Sequence, residues 1–316
     1  MDIASVIDLS KAVLQPVEFP EKVPVVVFMK RLDLIHPYIS GNKWFKQKYN
    51  LSKAREDGYK RLLTFGGAFS NHIYAAAAAG KEFGFKTIGV IRGEEHLPLN
   101  PTLQFAAEQG MQIHYVNRDD YRKKHLPEFT DWVYSKFGKV YIIPEGGTNQ
   151  IAIKGAAEIP SLIEIDFDYI TTACATAGTI SGVISGLHGS KKVLGFAVLR
   201  GSAFVLKNTE QNVLEFTGKK FDNWSINLDY HFGGYAKINR DLVLFIRQIE
   251  EINGIVLDPI YTGKMLYGVY DLARKEFFGE KKTIVALHTG GQQGIAGMRA
   301  RMNEVLYAKV ELNFKK

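Results

Sequence analysis

Lys43 and Lys46 stand three residues apart in the stretch ISGNKWFKQKYNL (39–51), and their type and spacing make them the first candidates for chemistry. Gly41 and Asn42 are turn formers, and the residues after them read as a helix running towards Gly58. Lys43 thus falls in a first helical turn, where the positive end of the helix dipole disfavours a cation. A solvated lysine is better served at the other end of a helix. A lysine whose task is to lose its charge, by condensing with an aldehyde, is not penalised there. Lys46 lies one turn further on, on the same helix face.

A second group of residues is suited to an anion. In CATAGTISG (174–182) a buried strand gives way to small residues and then to a helix starting near Gly178. Backbone N–H groups at such a start bind phosphate, and small side chains permit its close approach. Thr176 and Thr179 add hydroxyl donors. The loop is neither a Walker loop, since no Gly-Lys-Ser/Thr follows, nor a GxGxxG fingerprint. TFGGAFSNH (64–72) repeats the pattern, with Ser70 and Asn71 opening a helix in which only one of them is needed as N-cap. HTGG (288–291) ends another strand in a hydroxyl and two glycines, and DPIYTGK (258–264) places Tyr261 and Thr262 just before a helix.

These loops need a frame. Apolar, often β-branched runs at 23–28, 61–67, 86–93, 112–117, 140–147, 169–175, 192–201, 254–259 and 283–291 read as strands. Helical patterns at 42–58, 70–84, 101–110, 128–137, 151–163, from 178, at 239–253 and from 264 alternate with them. That alternation predicts an α/β protein with mainly parallel sheets covered by helices, and ligands beyond the carboxyl ends of the strands. No linker or repeat divides the 316 residues. Two domains must therefore be intimately joined, with the chain crossing between them more than once.

Composition narrows the function. The chain is 46% hydrophobic and 23% charged, which is ordinary globular usage. Its net charge of +7 is scattered rather than blocked, and with no zinc-finger or RNA-binding motif it predicts no nucleic-acid partner. The single cysteine, Cys174, excludes an intrachain disulfide. The N-terminus is not patterned as a signal peptide, and no apolar run is long enough to span a bilayer. A soluble, cytoplasmic protein with no membrane partner is expected. The eight histidines show no HExxH, so no metal is expected, and His72 and His288 read as structural or pocket-lining. Ser70 is not in a GxSxG elbow.

Taken in order, Lys43 in GNK, Ser70-Asn71 in GGAFSN, the ATAGT loop, and YTGK with HTGG resemble the 1-aminocyclopropane-1-carboxylate (ACC) deaminase / D-cysteine desulfhydrase family. The likeness runs from KRLD (30–33) to HTGG. It implies pyridoxal 5'-phosphate as cofactor and the tryptophan synthase β-subunit-like fold (fold type II). It also implies roles. Lys43 resembles the Schiff-base lysine and Lys46 a phosphate contact. Ala175, Thr176, Ala177, Gly178 and Thr179 resemble the phosphate loop. Asn71 matches the asparagine on the cofactor's phenolic oxygen, and Thr289 the group facing the pyridine nitrogen. A hydroxyl there leaves the cofactor a weaker electron sink, which suits elimination. Ser70 matches a substrate-carboxylate contact or proton carrier. Tyr261, with Tyr235 in FGGYAK, matches two pocket tyrosines able to act as acid, base or clamp.

Two positions separate the branches of that family. ACC-opening members carry Glu after the pocket Tyr and Leu after the His, whereas this chain has Thr262 and Thr289, like the desulfhydrases. Phe69 stands where many members have Gln. The expected reaction is therefore β-elimination from a small amino acid, foremost D-cysteine to pyruvate, sulfide and ammonia, with ACC deamination as the alternative. A non-enzymatic phosphate- or nucleotide-binding module keeps the ATAGT loop but has no use for Lys43. The expected domains are a smaller one over 46–155 and a larger one, holding the phosphate, over 1–45 and 156–316. A homodimer is expected.

Overall fold

The apolar runs build two sheets whose carboxyl ends open on one cleft, in a computed structural model that describes residues 3–307. Strands β1 (Leu14–Pro16) and β2 (Val26–Lys30) precede helix α1 (Asn42–Glu56). Then come β3 (Arg61–Gly66), α2 (Asn71–Phe83), β4 (Lys86–Arg92), α3 (Pro101–Glu108), β5 (Gln112–Val116), α4 (Arg118–Arg122), α5 (Pro127–Phe137) and β6 (Tyr141–Ile143). The chain continues through α6 (Gln150–Ala156), β7 (Tyr169–Cys174), α7 (Gly178–Leu187), β8 (Lys192–Ala197), α8 (Phe204–Thr217) and β9 (Trp224–Asn227). It closes with α9 (Arg240–Asn253), α10 (Thr262–Arg274), β10 (Thr283–Leu287) and α11 (Gly294–Tyr307).

The larger sheet has the order β1-β2-β10-β7-β8-β9, and the smaller β5-β4-β3-β6. Among the described strands only β1 runs antiparallel, against β2. The α/β architecture with mainly parallel, helix-covered sheets is the one the alternation predicts. Parallel register aligns the exits of the strands. Gly66 of β3 pairs with Ile91 of β4, and Cys174 of β7 pairs with Ala197 of β8. All four strands of the smaller sheet lie between residues 61 and 143.

The two sheets share a core. One apolar cluster runs from Phe45, Leu51, Leu62 and Ile143 to Ile170, Ile180 and Val285. Helix α1 packs on α6, and α6 packs on α7, so the helix that carries Lys43 is wedged at the junction. Helix α2 is capped by Ser70, whose Oγ accepts from the N–H groups of His72 and Ile73. Its alanine run, buried from Ala75 to Ala79, lets it lie close against β3 and β4.

Some elements differ from the sequence reading. Strand β2 covers 26–30, not 23–28, because its partner β10 starts only at Thr283, opposite Val26. The stretch 254–259 is no strand. Its Val256 carbonyl accepts from His288 Nε2 and Gln292 Nε2, side-chain donors that replace a ladder. The helix expected over 151–163 stops at Ala156 and gives way to a 3-10 turn, Ile159–Leu162, that includes Pro160. Helix α8 has no counterpart in the reading. Only Val205, Thr209 and Val213 of it are buried, a stripe too thin to stand out.

Candidate active site

Lys43 is the second residue of α1, as the GN turn predicts. The turn is fixed by close docking. Gly41 has φ +64, and a Cβ on it would lie 2.1 Å from the carbonyl oxygen of Thr289. Only glycine lets the head of α1 rest on the end of β10, so the positions of Lys43 and Thr289 are set by one contact. The Lys43 amine is brought down to about 8 by burial. Lys46, 1% exposed, is pushed well below the ordinary lysine value by burial and then by Lys43. Neither lysine has a carboxylate partner among the described residues. Two neighbouring amines of which neither is ion-paired lose their protons easily, and an anion placed beside them would be welcomed.

Hydroxyl groups gather beside Lys46. Lys46 Nζ donates to Thr148 Oγ1 at 2.9 Å, and Thr148 Oγ1 meets Thr176 Oγ1 at 2.9 Å. Asn42 Nδ2 donates to Thr179 Oγ1 at 2.8 Å. Ala177 takes a left-handed φ of 62 before α7, the turn that aims the first N–H groups of that helix outward. A Cβ on Gly178 would lie 2.7 Å from Thr148 Oγ1 and 3.0 Å from Lys46 Nζ, so this loop is already packed to its limit.

Across the cleft, Asn71 Oδ1 accepts from Gln293 Nε2 at 2.8 Å, which turns the side chain towards the loop after Thr289. Ser70 spends its oxygen lone pairs on the α2 cap and keeps its O–H proton to donate. Tyr235 and Tyr261 meet edge to face, with ring centroids 6.5 Å apart. Tyr235 Oη donates to the Phe69 carbonyl at 3.4 Å, bridging the cleft. Burial raises both phenols, that of Tyr261 well above its usual value.

All twelve residues picked from the sequence, Lys43, Lys46, Ser70, Asn71, Ala175 to Thr179, Tyr235, Tyr261 and Thr289, line one cleft of about 950 Å³. A smaller cleft of about 540 Å³ beside β5 and α5, lined by His114, Asn117 and Trp132 among others, contains none of them.

Thr262 differs from expectation. It is fully buried and does not line the cleft. Its hydroxyl donates to Asp258 Oδ2 at 2.6 Å, and the Asp258 carboxylate also accepts from the N–H groups of Ile260, Tyr261 and Thr262. The residue after the pocket tyrosine thus belongs to the cap of α10.

Sequence reasoning missed Thr148, Asn42 and Gln293. Thr148 follows Glu-Gly-Gly at the end of β6, the same strand–glycine–hydroxyl pattern seen at the other loops, so a signal existed. His72 is buried, with Nε2 2.7 Å from Thr64 Oγ1, and burial followed by Lys43 and Lys46 keeps it well below its ordinary pKa. His288 is held by the Val256 carbonyl through Nε2, and its Nδ1 lies 3.4 Å from Asp33. Among the described residues, no group of three or more His, Cys, Asp or Glu is arranged to hold a metal ion, and no helix is long and apolar enough to cross a membrane.

Comparison with known proteins places this geometry. The profile of the family described as "Pyridoxal-phosphate dependent enzyme" matches residues 13–290. A protein of Pyrococcus horikoshii, provisionally named 1-aminocyclopropane-1-carboxylate deaminase, is 34% identical over 279 residues, covering 85% of each chain. The D-cysteine desulfhydrase of Klebsiella pneumoniae strain 342 is 26% identical over 286 residues, covering 84% of this chain and 86% of its own. A solved structure described as an ACC deaminase homologue superposes with a TM-score of 0.79 at 31% identity, covering 96% of this chain and 99% of the other.

Proposed function

The chain belongs to the pyridoxal-phosphate dependent enzymes, and from that premise we propose that it catalyses β-elimination from a small amino acid, foremost D-cysteine. Water is consumed in the overall reaction, and pyruvate, sulfide and ammonia are released. The observation that carries the proposal is the pair of neighbouring amines, half-buried Lys43 and buried Lys46, both with lowered pKa and neither ion-paired among the described residues, in one cleft with the 175–179 loop. A cofactor with one phosphate and one aldehyde would suit both amines, with Lys46 held for the phosphate and Lys43 for the aldehyde.

The residues fit that group. Lys46, Gly178, Thr176 and Thr179 with Ala175 and Ala177 would hold the phosphate, supported by Thr148. Asn71 would donate to the phenolic oxygen and Thr289 would face the ring nitrogen. When bound, pyridoxal phosphate supplies the electron sink that stabilises negative charge at the substrate Cα. Lys43, neutral in a good fraction of molecules near pH 8, takes the Cα proton. Ser70, with its free O–H proton, orients the substrate carboxylate. Tyr261 and Tyr235 are phenols, protonated at neutral pH and raised further by desolvation in the cleft, so they serve the leaving group as proton donors or clamp it.

Residue 262 favours the desulfhydrase reading over ring opening. Opening a cyclopropane breaks a carbon–carbon bond and requires a proton delivered to carbon. Thr262 offers no carboxylate, and its hydroxyl is already committed to Asp258. Expelling sulfide needs only Cα deprotonation and a stable leaving group. ACC deamination is the second reading, favoured by the provisional name of the Pyrococcus horikoshii relative. Incubation with D-cysteine, L-cysteine and ACC separately, measuring sulfide, pyruvate and 2-oxobutyrate, decides. D-cysteine is expected to be turned over fastest, and ACC turnover exceeding it would overturn the branch assignment.

The same reading includes a smaller domain over 46–155, supported by the confinement of one whole sheet to 61–143. It also includes a homodimer in the cytoplasm, with light scattering of the purified protein as the check on the first.

A further inference from the structure

Lys264 is fully buried in the first turn of α10, and the chemistry proposed above leaves it without a task. Like Lys43, it is a cation at the end of a helix that disfavours cations. No carboxylate lies within ion-pair distance of it among the described residues. Instead its Nζ donates to two backbone carbonyls, His231 O at 2.8 Å and Gly234 O at 2.7 Å. Burial lowers the amine to about 8, with the more distant Asp258 acting in the opposite direction.

The two carbonyls belong to a loop in need of support. Phe232, Gly233, Gly234 and Ala236 all have positive φ, and two of these are not glycine. The loop's own bonds turn on the same two carbonyls: Gly234 N donates to His231 O, and Lys237 N to Gly234 O. Between these turns stands Tyr235, beside Tyr261 and against the Phe69 carbonyl on the far side of the cleft. Tyr261 precedes α10 directly, three residues before Lys264. One helix end thus holds Tyr261 through the chain and reaches the loop of Tyr235 through the Lys264 amine, the Tyr235–Tyr261 ring contact and the ring contact of Phe232 with Tyr267, and of these the two hydrogen bonds of Lys264 are the ones made to the loop's backbone.

We infer that Lys264 is a positioning residue: it clamps the 231–237 loop so that Tyr235 stands beside Tyr261 and bridges the cleft to Phe69. The inference rests on the assignment of both tyrosines to the reacting end of the cleft. Removing the clamp releases Tyr235 and leaves Lys43, Lys46 and the 175–179 loop untouched. A lysine that merely filled space would show no special link to Tyr235.

The test uses the holoenzyme with Lys264→Met, alone and combined with Tyr235→Phe. Amide hydrogen exchange in 231–237 is expected to speed up by about tenfold or more, with exchange in α7 unchanged. Affinity for pyridoxal phosphate is expected to stay within about twofold. With D-cysteine, kcat/KM is expected to fall by roughly 10- to 100-fold, and the double variant to be no worse than the weaker single one, since both changes disable the same phenol. Single losses that multiply in the double variant, or unchanged exchange in 231–237, overturn the inference. Should Lys264→Met fail to fold, the same cycle on Lys264→Leu, which likewise removes the donor, decides. If the wild-type protein turns over none of the amino acids, the substrate reading fails while the exchange measurement still judges the clamp.

Discussion

At Lys43 the argument from local sequence and the argument from tertiary structure reach one result by different routes. The GN turn makes its place in a first helical turn legible in the sequence, and the helix dipole is reason enough to expect a weakened ammonium. In the folded chain the amine is brought to about 8 by burial, and burial depends on residues as distant as Thr289, against which Gly41 docks. No local pattern reveals that. Two outcomes follow for this residue. Lys43→Ala should abolish turnover together with the lysine adduct that borohydride traps on the wild-type protein, and recovery of the pyridoxyl group on another lysine in peptide maps would refute the assignment. The second concerns pH. Only the neutral amine condenses with an aldehyde, and its fraction rises with pH until the amine's own pKa is passed. Reconstitution of apoprotein should therefore accelerate by about tenfold per pH unit below about pH 8 and flatten above it, followed by cofactor absorbance. A rise that continues without flattening from pH 8 towards 10.5 would mean that burial does not set the amine's charge.

At the scale of elements, the conformation of the loop proposed to hold the phosphate is readable because its pattern lies in consecutive residues. Strand, small residues and helix start occur together in CATAGTISG, and α7 begins at Gly178 where the pattern places it. Its partners were less visible, because Thr148 and Asn42 reach it from other elements, 28 and 137 residues away in sequence from the threonines they bond. Stretch 254–259 failed for a related reason: a run of strand-like composition becomes a strand only where a neighbour offers its edge, and here side chains took the carbonyl instead. The loop's tight packing gives a prediction. Gly178→Val drives methyl groups into Thr148 and Lys46, so affinity for pyridoxal phosphate should fall by about 100-fold or more in a protein whose circular dichroism is unchanged. Thr179→Ala removes one hydroxyl beside the anion, worth about 1.5–3 kcal/mol or roughly 10- to 100-fold in affinity. Equilibrium titration of both apoproteins measures the two effects, and unchanged affinity in both would assign the loop another task.

Across the whole molecule, the site is an instability that the ligand relieves. The shared core fixes α1 between the two sheets, and with it the half-buried Lys43 and the buried Lys46, close enough for one charge to act on the other. A buried, unbalanced lysine opposes folding, because the unfolded chain holds its proton in water at no such penalty. For Lys46, replacement by Met should therefore stabilise the apoprotein, by about 1–4 kcal/mol, while weakening the cofactor it would have held. The pH dependence has a fixed sign. The amines' folded values lie below the ordinary 10.5, so the unfolded chain binds more protons in that window, and apoprotein stability rises as pH climbs from about 8 towards 10.5. Lys46→Met should flatten that rise. Ligand acts in the same direction: pyridoxal phosphate at about 100 times its Kd stabilises the wild-type fold by about 2.7 kcal/mol. In Lys46→Met the same concentration should add much less. Thermal melts of the wild type and Lys46→Met, each with and without cofactor and at several pH values, separate the contributions. A Lys46→Met apoprotein that melts below the wild type, with cofactor stabilisation intact, would show that the lysine supports the fold and that the anion is held by something else.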